Sequence, residues 1–130
     1  MNKKILIIDD NPINNAKYID VLKRDYDVSI AIWMRSALRL LKNSNWDIIV
    51  IDVMMPTQIL SSDNEMRAGF EFYDSEIKKL NLSSKIIFWS RLTDSCFDQN
   101  KYPKSNGFYF VHKSEDANHL KIVIDKIFQP

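Results

Sequence analysis

The sequence predicts a three-layer α/β domain built on a parallel sheet, and three observations point there. Five short aliphatic runs alternate with amphipathic or polar stretches along the 130 residues, the pattern of strand and helix repeats joined by right-handed crossovers. The run Ile48-Ile49-Val50-Ile51 is apolar at every position between Asp47 and Asp52, which suits a strand covered on both faces. The residues that close the runs are polar: Asp9 and Asp10, then Asp52, Ser90 and Lys113. They fall at the carboxyl ends of the strands, the rim at which open parallel sheets bind ligands.

Composition excludes several classes. With 45% apolar residues, seven Phe, five Tyr and three Trp, a chain of this length suits one domain, residues 1–130, with a real core. A formal net charge of +1 gives no field to attract nucleic acid or anionic lipid, so neither is an expected partner. Cys96 has no second cysteine to pair with, which fits a reducing cytoplasm. The apolar run at residues 5–8 is too short for a signal-peptide core, and no stretch approaches bilayer length.

In order along the chain, residues 4–9 read as the first strand. Asn11 and Pro12 suit a helix start, with Tyr18, Ile19 and Leu22 on the buried face. Residues 26–33 alternate Val28, Ile30 and Ile32 against smaller or polar neighbours, as an edge strand would. Residues 36–43 form a short helix with Ala37, Leu38 and Leu41 inward. The central strand comes next, opened by Asp47 at the end away from the rim. After Pro56, residues 57–67 show no clean period and read as a loop longer than usual, placed to act as a lid or partner contact beside the rim.

The third helix is expected from about Gly69, since glycine is a poor helix-interior residue and Phe70, Tyr73, Ile77 and Leu80 keep helical spacing. Residues 85–90 form the fourth strand. Residues 93–103 are poor in helix formers, so any helix there is short. Residues 108–112 form the fifth strand, with Lys113 directly after it. Ser114 is expected to cap the last helix with Glu115 and Asp116 in its first turn, and Leu120, Val123, Ile124 and Ile127 supply its apolar face. Trp33, Trp46 and Trp89 read as packing residues, and His112 as structural.

Three carboxylates at one rim repel unless a cation sits among them. Oxygen donors without His or Cys favour a hard ion, and a few carboxylates plus waters suit Mg²⁺. Lys113 offers a point charge and Ser90 a hydroxyl to phosphoryl oxygens. A carboxylate nucleophile needs no general base, and phosphoryl transfer asks mainly for positioning and charge neutralisation. The inferred reaction is phosphoryl transfer onto Asp52.

On these residues the sequence resembles the receiver domain of two-component response regulators over essentially its whole length. The resemblance implies the flavodoxin-like doubly wound sheet, with strand order 2-1-3-4-5 carried over from the family. It implies Asp52 as phosphoacceptor, and Asp9, Asp10, Asp52 and the backbone carbonyl of Met54 as Mg²⁺ ligands. Ser90 and Lys113 complete the catalytic set, and Ser90 with Phe110 forms the switch pair. A histidine kinase or phosphotransfer protein is the implied donor. A downstream protein or fused output domain is the implied receiver of the signal, and the face of fourth helix, fifth strand and fifth helix is the family's usual output and homodimer surface. The activity is that of a signalling module acting on its own aspartate, not of an enzyme with a separate substrate.

The sequence departs from the family pattern in four places. Ser114 replaces the usual proline after the lysine, Arg91 replaces a small residue after the switch hydroxyl and controls access, residues 57–67 are inserted, and the fourth helix is weakly encoded. Only Arg91, Ser114 and the weak fourth helix speak for an alternative, a receiver-like interaction module acting without phosphorylation, and the phosphorylatable receiver is the favoured reading. A metal-dependent phosphatase of another α/β family is disfavoured, because Met54 stands where its second acid would be.

Overall fold

The four aliphatic residues of the central run are completely shielded from water, each contributing roughly 1.5–3 kcal/mol by burial. They anchor the computed structural model, which describes residues 2–53, 68–91 and 97–129. The elements are β1 (Lys4–Ile8), a 3₁₀ turn (Pro12–Asn15), α1 (Ala16–Lys23), β2 (Asp27–Ala31), α2 (Met34–Asn43), β3 (Ile48–Asp52) and α3 (Ala68–Phe72). A π turn (Tyr73–Ile77) and a 3₁₀ turn (Lys78–Leu80) extend α3, followed by β4 (Lys85–Ser90), a 3₁₀ turn (Lys104–Asn106), β5 (Phe108–His112) and α4 (His119–Phe128). All strand pairs are parallel, and the order is β2-β1-β3-β4-β5.

Alternate strand residues face opposite layers. Leu6, Ile8, Ile49, Ile51 and Phe88 pack with Met34, Ala37 and Leu41 of α2 and with Ala68, Phe70 and Phe72 of α3. Ile5, Ile7, Ile48, Val50, Ile87 and Trp89 pack with Tyr18, Ile19 and Leu22 of α1 and with Leu120 and Ile124 of α4. Ile8 is level with Ala31 and Ile51, Asp52 with Trp89, and Ser90 with His112. The strands therefore end together, and the residues just past their carboxyl ends share one rim.

Gly69 marks the start of α3 for a stronger reason than propensity. A Cβ there would lie 2.5 Å from the Asp52 carbonyl oxygen and 2.7 Å from Val53 Cα, so only glycine lets the helix press on the end of β3. The Gly69 amide donates to the Val53 carbonyl at 2.9 Å, fixing that approach.

Three expectations need correction. β2 ends at Ala31, and the chain turns away before Ile32 and Trp33, which are 44% and 56% exposed; Trp33 is not a packing residue, whereas Trp46 and Trp89 are buried. Ser114 does not cap the last helix. Its carbonyl accepts a hydrogen bond from the Tyr18 hydroxyl, its Oγ accepts from the Asp116 amide at 3.1 Å, and Asp116 Oδ1 accepts from the Asn118 amide at 2.9 Å. These side-chain turns use the amides that a helix start would leave open, so α4 begins only at His119 with no acid in its first turn. Among the described residues no peptide bond is cis.

Residues 97–103 carry no helix. An aromatic cluster holds them instead: Tyr102 is buried, stacks on Phe70 and meets Phe88 at a tilt, and donates its hydroxyl to Asp74 at 2.9 Å. The expected loop at 57–67, and the rest of the weakly encoded fourth helix at 92–96, lie outside the described residues. No helix among the described residues is long and apolar enough to cross a membrane.

Candidate functional site

Strand parity gathers the charged residues. Asp9 continues the alternation of Ile5 and Ile7, Asp52 that of Ile48 and Val50, and Lys113 that of Val111, all on the side covered by α1 and α4. Backbone pairing persists past the strand ends, with the Asp9 amide donating to Ala31 at 3.0 Å and the Lys113 amide to Ser90 at 2.7 Å. Asp9 and Asp52 are buried and Asp10 is exposed, and each offers a carboxylate oxygen within 4.8 Å of the others.

Lys113 Nζ lies 3.2 Å from Asp52 Oδ2, with both side chains under a tenth exposed. Removing one partner of a buried pair costs about 3–5 kcal/mol. The same ammonium lies 4.6 Å from the centre of the Trp89 ring, so Trp89 packs the core and also supports the lysine. Trp89 in turn meets Tyr18 edge-on at 5.3 Å.

Asp9 is held by two neutral donors. Its Oδ1 accepts from the Asn11 amide at 3.0 Å and its Oδ2 from Asn15 Nδ2 at 2.6 Å. Asn15 is 3% exposed, and its Oδ1 has no hydrogen-bond partner among the described residues. An unpaired buried acceptor costs on the order of 1–3 kcal/mol, and native structures leave few of them without a reason. Sequence reasoning missed Asn15, although a signal was present: it stands three, four and seven residues before Tyr18, Ile19 and Leu22, a polar residue heading an apolar stripe.

The three acids, Lys113, Arg91 and the asparagines Asn11, Asn14 and Asn15 line a cleft of about 230 Å³. Exposed Arg91 stands at this cleft as expected, and its carbonyl accepts from His112 Nε2 at 2.9 Å. Ser90 is fully buried and takes the opposite parity, that of Phe88. Phe110 is level with Phe88 and packs against Phe97 at 5.3 Å. Ser90 and Phe110 thus share a sheet face, two register positions apart. Asp47 binds the Lys4 amide at 2.8 Å, at the far end from the cleft. Met54 lies outside the described residues. A roomier groove of about 400 Å³ is lined by aromatics such as Phe97, Tyr102, Phe108 and Phe110 and has no acid among its lining residues, so the charge chemistry belongs to the smaller cleft.

A family model described as "Response regulator receiver domain" matches residues 5–125. The chain belongs to that family. Solved receiver structures share the fold. The response regulator TrrA of Thermotoga maritima, in complex with Mg²⁺-BeF, is 23% identical with a TM-score of 0.69, covering 96% of this chain and 98% of its own. The receiver domain of a putative Luxo repressor protein of Vibrio parahaemolyticus is 18% identical with a TM-score of 0.75, covering 99% and 92%. A CheY-like receiver domain protein of Methanospirillum hungatei is 18% identical with a TM-score of 0.70, covering 99% and 95%. No curated protein matched the sequence. In this receiver, then, the acidic cluster stands at the carboxyl rim of the family's sheet.

Proposed function

We propose that this receiver accepts a phosphoryl group on Asp52 from a histidine kinase or phosphotransfer protein in the cytoplasm, and passes the change to a partner or output domain through its surface. The observation that carries the proposal is the convergence of Asp9, Asp10 and Asp52 within 4.8 Å with Lys113 bonded to Asp52.

The residues fit Mg²⁺. The donors are hard oxygens, the cleft has room for several waters at about 30 Å³ each, and Lys113 can neutralise only part of the charge of three carboxylates. Asp9, Asp10 and Asp52 would hold the ion, with the Met54 carbonyl as the further ligand implied by the family pattern. When bound it supplies charge neutralisation to the phosphoryl oxygens. Asp52 supplies the nucleophile: a carboxylate oxygen bonds to phosphorus as the donor's phosphorus–nitrogen bond breaks and its imidazole departs. Lys113 is already desolvated against Asp52 and Trp89, so it reaches a phosphoryl oxygen with little reorganisation. The added group brings roughly two negative charges. Ser90 donates its hydroxyl to that group, and Phe110 moves into the space beside it, changing the face formed by β5 and residues 97–103.

Intact mass tests the reading. With Mg²⁺ and a small acyl phosphate, the wild-type chain gains one phosphoryl group and Asp52→Asn gains none. Unchanged mass in the wild type would favour an interaction module that signals without phosphate.

A further inference from the structure

We infer that Asn15 is a positioning residue of the metal site, its Nδ2 fixing the Asp9 carboxylate and its Oδ1 accepting a hydrogen from a water in the cation's shell. The inference rests on the Mg²⁺ reading above.

Three observations converge on it. Asn15 occupies the N-cap position of α1, yet its side chain makes no capping bond, so the usual reason for asparagine at a helix start is absent. The amide is turned back instead, with Nδ2 at 2.6 Å from Asp9 Oδ2 and 3.5 Å from the Asn11 carbonyl. This fixes which end of the amide is which, because the opposite orientation would set two acceptor oxygens against each other. Oδ1 is then left buried and without a partner among the described residues, on a residue that is only 3% exposed and lines the same cleft as Asp9, Asp10 and Asp52. Its helical neighbours Tyr18, Ile19 and Leu22 are buried and apolar, so an aliphatic side chain would satisfy packing alone.

Mg²⁺ dehydrates reluctantly and keeps several waters, each with hydrogens that need acceptors. Both Asp9 oxygens already accept a bond from the protein. A neutral oxygen beside them accepts from such a water without adding a fourth negative charge to a crowded cleft.

The test is calorimetric titration of the full chain with Mg²⁺ and, separately, Ca²⁺. Asn15→Leu should weaken Mg²⁺ binding by roughly 10- to 100-fold, as loss of an outer-shell partner does. Ca²⁺ fills its shell more readily from protein oxygens and should lose at most about threefold. Unchanged Mg²⁺ affinity, or equal losses for both ions, would overturn the role of Oδ1, since misplacing Asp9 alone weakens both alike. Failure of the wild type to bind Mg²⁺ would instead overturn the metal reading beneath it. If the leucine variant does not fold, the wild-type side-chain carbonyl carbon of Asn15 decides by NMR: a shift that saturates with Mg²⁺ supports the role, and constancy at saturation overturns it.

Discussion

Replacing Gly69 by alanine sets helix propensity against a backbone contact, and the two predict opposite signs. Propensity favours alanine by about 1 kcal/mol in a helix interior. Against it, the new Cβ would stand 2.7 Å from Val53 Cα and 2.5 Å from the Asp52 carbonyl oxygen. Carbon pairs settle near 3.5–4.0 Å, so α3 or the end of β3 must move by roughly 1 Å. Overpacking on this scale costs up to about 3 kcal/mol. Sliding the helix also strains the 2.9 Å bond from the Gly69 amide to Val53, a contribution of about 1 kcal/mol. The balance is a loss of about 3 kcal/mol, or roughly 10 °C in Tm. Because the atom struck is the carbonyl of Asp52, the proposed phosphoacceptor, phosphorylation by a small acyl phosphate should also slow at least tenfold, given that misplacements near 1 Å can cost about a hundredfold. Urea unfolding with an unchanged m-value measures the first effect and the rate of mass gain the second. Stability equal to or above wild type would refute the reasoning, because that is what propensity alone delivers.

Two further outcomes concern the rim and the α4 contact. Arg91→Ala, which removes a long side chain from the cleft wall, should speed both phosphorylation by a small donor and loss of the phosphate by roughly three- to tenfold, as in-line approach becomes easier; slower phosphorylation would show that the guanidinium helps bind the phosphoryl group. Burial and a hydrogen bond to Asp125 push Tyr26 up to about 12, and hydrogen bonds to Asp125 and Asp25 hold Lys121 above the usual lysine range. Both folded values are raised, so their stabilising contribution is complete below the ordinary values; that of Tyr26 is lost as pH climbs from about 10 to about 12, and that of Lys121 persists to higher pH. Burial works to raise Asp125, but bonds from Lys121 and Tyr26 outweigh it and lower the carboxyl; its contribution is present above the ordinary value and lost as pH falls through the depressed one. Urea midpoints across this alkaline window should fall for wild type and flatten for Tyr26→Phe.

Much of this receiver was legible in one dimension. Residues 48–51 could only be a strand buried on both faces, because nothing in them can be solvated, and period two then assigns Asp52 its place at the strand end. The same logic delivered Asp9, Ser90 and Lys113 to one rim, since parallel strands joined by crossovers end on the same side. Contacts between segments distant along the chain were beyond the reach of the sequence. Ser114 has the composition of a helix cap, but Tyr18, 96 residues away, binds its carbonyl, and local turns defer the helix to His119. Ile32 and Trp33 have strand-like composition, but the pairing of β2 with β1 stops at Ala31. Gly69 looked like a helix boundary by propensity, whereas the carbonyl of Asp52 excludes a side chain there. Asn15 is polar in any reading. That its amide turns back onto Asp9, leaving its oxygen buried and unpaired among the described residues, depends on how the first turn after β1 packs against the sheet, and local preference holds no record of that.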